Sequence, residues 1–75
     1  MNKLAVLEGL LFVVGEDGLT INQMMEILDV TLEDAKELIS RLKEKYEADD
    51  SGIRISFLGD TFKLTTKKEH REYYQ

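Results

Sequence analysis

One histidine, no cysteine and a pair of adjacent aspartates are all that this chain offers for catalysis or metal binding. His70 lies among Lys68, Glu69, Arg71 and Glu72, where nothing nearby supplies a metal-ligand set, so it reads as a surface residue. Asp49-Asp50 reads as the end of a helix. Neighbouring carboxylates do acid–base work only in a pocket that drives their pKa values apart. Gly15-x-x-Gly18 has neither the lysine nor the preceding strand of a phosphate loop, which leaves a turn. No catalytic residue, cofactor site or metal site follows from these residues, and an enzyme is not expected.

The remaining chemistry is charge. Residues 1–50 hold twelve acids and five bases, a balance of −7, and residues 51–75 hold three acids and five bases, a balance of +2. Arg54, Lys63, Lys67, Lys68 and Arg71 make up that basic end and could follow a phosphate backbone. The favoured reading is solvated residues that keep a strand edge from pairing, because no aromatic residue is interleaved among them for base stacking. Glu33, Asp34 and Glu37, with Lys36 the only base among them, occupy the stretch that would read DNA in a helix-turn-helix. Carboxylates there are repelled by phosphates, and the same acids favour the positive end of a helix dipole. With −5 overall, the chain is a poor candidate for binding polyphosphate.

These residues need positions, and the hydrophobic pattern supplies them. Thr20 and Gln23 have capping-box spacing ahead of Ile21–Leu28, and Thr31 with Asp34 is a weaker version ahead of a longer helix from Leu32 to about Ala48. The break between them is Asp29-Val30-Thr31. The longer helix carries an apolar stripe of Leu32, Ala35, Leu38, Ile39, Leu42 and Tyr46. Asp49-Asp50-Ser51-Gly52 then breaks it, and Ile53–Leu58 and Thr61–Thr66 read as strands joined by Gly59-Asp60. That two-residue loop pairs Leu58 with Thr61, Phe57 with Phe62, Ser56 with Lys63 and Ile55 with Leu64. Ile55, Phe57, Phe62 and Leu64 then share one face, and Arg54, Ser56, Lys63 and Thr65 the other. Leu58 falls on the wet face near the tip. Leu11, Leu38, Leu42, Phe57 and Phe62 are the expected core.

A helix from about Lys3 to Val14 precedes all this and closes at the glycine-bracketed turn. Leu4, Leu7, Leu10, Leu11 and Val14 form its core stripe, while Ala5, Val6, Phe12 and Val13 fall largely outside it, with Gly9 on their side. A helix apolar around most of its circumference needs cover on a second side. A second copy of the chain through Val6, Gly9, Phe12 and Val13, or the hairpin or tail of the same chain, could provide it. The apolar run is too short to cross a bilayer, and Glu8 interrupts it without a cleavage site following.

The 75 residues make one domain, which buries only about 60% of the surface it exposes unfolded. The expected fold is α+β, a winged helix of three helices and a two-stranded β-hairpin wing over residues 1–66, with residues 67–75 starting a further helix. Tyr73-Tyr74-Gln75 reads as a cut through that helix, which suggests a fragment leading to a second domain. A chain without cysteine needs no oxidising compartment, and the cytoplasm fits.

Leu7-Glu8-Gly9-Leu10-Leu11-Phe12-Val13-Val14-Gly15-Glu16-Asp17-Gly18-Leu19 resembles the opening of the segregation and condensation protein B family, an "EALLF" helix followed by a G-(x)-G-L turn. Gly52-Ile53-Arg54-Ile55 and Phe62-Lys63-Leu64-Thr65-Thr66-Lys67 are similar to that family's wing, "G-(x)-x-L…Y-x-L-x-T", and the likeness spans essentially the whole chain. The resemblance implies a non-catalytic subunit of the bacterial condensin complex, in the cytoplasm and on the nucleoid through that complex. It implies a homodimer that binds the kleisin, segregation and condensation protein A, and through it the structural-maintenance-of-chromosomes ATPase. Family members are two to three times longer, with a second winged helix. The competing reading is the DNA-binding domain of a bacterial transcription regulator, gripping phosphates through Arg54, Lys63, Lys67 and Lys68.

Overall fold

The structure is a computed structural model and describes residues 1–74; Gln75, the last residue of the expected cut helix, lies outside them. Helix α1 spans Lys3–Val14, strand β1 Leu19–Thr20, α2 Ile21–Leu28, α3 Leu32–Tyr46, β2 Ile53–Leu58 and β3 Thr61–Thr66. The architecture is the expected winged helix with one addition. The sheet has three strands in the order β1-β3-β2, because Leu19 pairs with Phe62 and Thr20 with Thr61.

Each boundary has a local cause. The Asn2 side chain accepts from the Leu4 and Ala5 amides at 3.0 and 3.2 Å and opens α1. Gly15, at φ +54°, closes it. A single 3₁₀ turn over Gly15–Asp17 follows and brings Gly18 against β3, where a Cβ would stand 2.7 Å from the Phe62 carbonyl oxygen. That close approach is why the turn ends on glycine. Thr20 and Gln23 form the full reciprocal capping box of α2. Thr31 accepts from the Asp34 amide at 3.1 Å without a reciprocal bond. Asp29 takes the left-handed conformation between the two helices, which a short polar side chain tolerates. Helix α3 stops at Tyr46 rather than near Ala48, where the Glu47 amide bonds back to Glu44 and tightens the last turn.

The core joins Leu7 and Leu11 of α1, Leu19, Met24 and Leu28, Ile39, Leu42 and Tyr46 of α3, and Ile55 of β2. Of the five expected core residues only Leu11 and Leu42 are fully buried, and Leu32 of the α3 stripe is not buried either. Leu38 lies at the margin of the α3 stripe, packed against the core but only partly buried. Leu32, in the first turn of α3, is 43% exposed, and Phe57 is 55% exposed. Phe57 lies beyond the buried part of the sheet and rests on Phe62, ring centres 4.5 Å apart, which in turn is partly buried. The hairpin register is the expected one at every pair.

The tail turns as a 3₁₀ helix over Lys68–Tyr73, a tighter form than the α-helix its composition suggested. Lys67 opens it and is buried. Its ammonium donates to the Ala48 carbonyl at 2.7 Å and its amide to the Gly52 carbonyl at 3.2 Å, tying the tail to the loop after α3.

Candidate functional site

Helix α1 is apolar on two sides. Leu7 and Leu11 are fully buried, and Leu4, Leu10 and Val14 pack around them. The opposite face presents Ala5, Gly9, Phe12 and Val13 to solvent, with Phe12 79% and Val13 80% exposed. A Cβ at Gly9 would meet nothing within 4 Å, so this backbone is open to close approach. Neither the hairpin nor the tail folds over the face among the described residues. Val6 departs from expectation: it is partly buried against the core and belongs to the border rather than the outer face. Beside Phe12 a groove of about 470 Å³ runs on to Ile53 and Leu64 of the sheet and lengthens the apolar surface. Single exposed apolar residues are ordinary, whereas a contiguous apolar helix face points to a contact.

Glu8, the only acid in α1, is turned away from that face. Lys45 of α3 pairs with it at 2.9 Å, and the Tyr46 hydroxyl donates to the same carboxylate oxygen. The Tyr46 and Lys45 hydrogen bonds hold the Glu8 carboxyl below its ordinary pKa. Burial, and then the Glu8 carboxylate, push the Tyr46 phenol from 10.0 up to about 12. Sequence reading registered Glu8 only as an interruption. Its place one turn from both Leu4 and Leu11, at the border of the core stripe, was the signal that it would face a neighbouring helix.

The raised phenol pKa sets a pH dependence. A group whose folded pKa lies above its unfolded value stabilises fully below the unfolded value and loses that stabilisation as pH passes the folded one. The Tyr46 contribution should therefore be intact below pH 10 and vanish by about pH 12. Urea unfolding of the parent and of Tyr46→Phe should differ by ~1.5–3 kcal/mol at neutral pH, the range for a hydrogen bond to a charged group. The difference should shrink across that alkaline window. A difference near zero at every pH would mean that the hydroxyl contributes nothing and that Tyr46 acts by packing alone.

The basic residues are not all free to meet a phosphate backbone, although Arg71 is among the exposed ones. Arg54 and Lys68 are exposed, but Lys63 pairs with Glu16 at 3.2 Å and Lys67 is buried on the Ala48 carbonyl. Lys67 is thereby removed from the candidate phosphate contacts. Its fate could not be read from sequence, since it depends on where the α3–β2 loop places a carbonyl. Glu33, Asp34 and Glu37 are all exposed on the first turns of α3, as a DNA-reading helix would not have them. His70 stands edge-on to Tyr74 with ring centres 6.3 Å apart. Among the described residues no three His, Cys, Asp or Glu side chains gather to hold a metal, and no helix is long and apolar enough to cross a membrane.

The family model described as segregation and condensation complex subunit ScpB matches residues 5–75. A segregation and condensation protein B from Shouchella clausii is 38% identical over 74 residues, covering 99% of this chain and 38% of that protein. One from Geobacillus thermodenitrificans is 42% identical over 69 residues, covering 92% of this chain and 33% of that protein. This chain thus spans well under half the length of these curated relatives. A crystal structure described as a dimer of the ScpB N-terminal domain complexed with ScpA peptide superposes with a TM-score of 0.91 at 38% identity, over 93% of this chain and 80% of that one. ScpB from Mycobacterium tuberculosis shares the fold, with a TM-score of 0.84 at 18% identity over 96% of this chain and 44% of that one.

Proposed function

This chain belongs to the family of segregation and condensation complex subunit ScpB, and on that premise we propose that it is a non-catalytic part of a condensin-like complex that works through protein contacts. It pairs with a second copy through Gly9, Phe12 and Val13 on the outer face of α1, with Val6 at the border. The pair engages the kleisin ScpA in the cytoplasm and, through it, the structural-maintenance-of-chromosomes ATPase on the nucleoid. Residues 1–66 form the winged-helix unit, and residues 67–75 lead into a further domain.

The observation that carries this reading is the uncovered apolar face of α1, on a domain whose 38%-identical structural neighbour is a dimer holding an ScpA peptide. The transcription-regulator reading loses its grip on phosphate. Of Arg54, Lys63, Lys67 and Lys68, one is buried and one is paired with an acid, and α3 leads with carboxylates. Presented with ScpA and with duplex DNA at physiological salt, the chain should retain ScpA in a pull-down and leave the DNA unshifted on a gel. A sub-micromolar, sequence-selective shift would reverse that assignment.

A further inference from the structure

The wing has one edge without a partner strand. Strand β3 is flanked by β1 and β2, which leaves the outer side of β2 without a strand. The two-residue loop at Gly59-Asp60, with Gly59 at φ +67°, makes Leu58 and Thr61 the closing pair. Hydrogen-bonded and non-bonded pairs alternate from there. Leu58, Ser56 and Arg54 therefore spend their amides and carbonyls on β3, while Phe57, Ile55 and Ile53 turn theirs outward. The Ser51 hydroxyl donates to the Ile53 carbonyl at 3.1 Å. No protein group among the described residues does the same for Ile55 or Phe57.

Edge strands are usually protected by proline, lysine, a bulge or a covering element. Strand β2 has neither proline nor lysine, its register with β3 runs without a bulge, and Arg54 is the one charge that guards it. Beside it, a groove of about 360 Å³ separates the edge from the last turns of α3, lined by Lys43, Tyr46, Glu47, Arg54, Ile55 and Phe57. It continues toward the buried Lys67 through a second hollow that shares Tyr46, Glu47 and Arg54.

We propose that this edge takes an extended segment of the kleisin as a fourth strand, with an apolar side chain beside Phe57 and Ile55 and a carboxylate between Lys43 and Arg54. The inference rests on the kleisin reading above and adds where and how the peptide sits. Outward amides and carbonyls at alternate residues recognise an extended polypeptide backbone, which is strand addition. Two cations against one anion make the groove a positive spot on a chain of net charge −5, which suits an acidic partner segment. A second copy fits less well, because antiparallel pairing of two β2 edges would bring two Arg54 side chains toward one another with no acid in either strand.

Overlapping peptides covering the organism's own ScpA, titrated into the chain, supply the test. The peptide that binds should slow amide hydrogen exchange at Ile55 and Phe57 while leaving Ser56, already bonded to β3, unchanged. Phe57→Pro removes one outward donor and an exposed side chain at a position where an edge strand tolerates proline. It should bind that peptide about tenfold or more weakly, while sedimenting as the parent does. If Phe57→Pro fails to fold, the exchange of the parent amides decides alone. Tight peptide binding with Ile55 and Phe57 exchanging freely would overturn the edge site and leave the kleisin reading standing. If no ScpA peptide binds the parent, both fall. Protection of the two amides that rises with protein concentration and needs no peptide would assign the edge to a second copy instead.

Discussion

Truncating Leu42 to alanine should lower the unfolding free energy by ~2–5 kcal/mol, the range for a large buried aliphatic side chain. Leu42 has no exposed surface and sits mid-helix in the α3 stripe, packed in one cluster with α1, α2 and β2. Its loss would leave a cavity facing several elements, which cannot all close on it. At roughly 0.05–0.15 kcal/mol per residue, a domain of this length holds only ~4–11 kcal/mol, so Leu42→Ala should leave a protein near its unfolding threshold. Leu38→Ala is the internal comparison. Partly buried at the margin of the same stripe, it should lose clearly less in urea unfolding. Equal losses, or a loss under ~1 kcal/mol for Leu42→Ala, would mean that α3 is rotated about its axis relative to this structure.

Much of the fold was legible because local chemistry names its own boundaries. Threonine caps start α2 and α3, a glycine pair stops α1, and the two-residue Gly59-Asp60 loop dictates the hairpin register residue by residue. What escaped was whatever depends on distant neighbours. Strand β1 is two residues long, too short for a periodicity, and exists only because Gly18 lets Leu19 approach Phe62. Phe57 alternates correctly for the core face, but alternation cannot say how far along a hairpin the helices reach. Lys67 reads as one more base until Ala48 is seen to supply a carbonyl. The outer face of α1 was visible as an excess of apolar residues over what one stripe needs. The structure sharpens it to Ala5, Gly9, Phe12 and Val13 and moves Val6 to the border.

Replacing Val13 with glutamate should turn a dimer into a folded monomer. At 80% exposure Val13 makes little contact within its own chain, so the variant should fold within about 0.5 kcal/mol of the parent. In a twofold contact through α1 the same glutamate would be buried without a partner. The one acid already in this helix, Glu8, is turned away from that face and pairs instead with Lys45 and Tyr46 on α3. An unpaired buried charge costs several kcal/mol, enough to raise a dissociation constant by a factor of about a thousand or more. Phe12, nearly as exposed, is the large side chain that should lose most surface to water, and Gly9 lets the two backbones approach.

Sedimentation equilibrium of the parent and of Val13→Glu, from low to high micromolar concentration, measures that contact directly. The expected result is a parent that fits a monomer–dimer equilibrium dominated by dimer, beside a variant that remains a monomer with an unchanged helical spectrum. A parent that is monomeric throughout the range, or a Val13→Glu chain that dimerises as tightly as the parent, would contradict the assignment of the outer α1 face to a second copy.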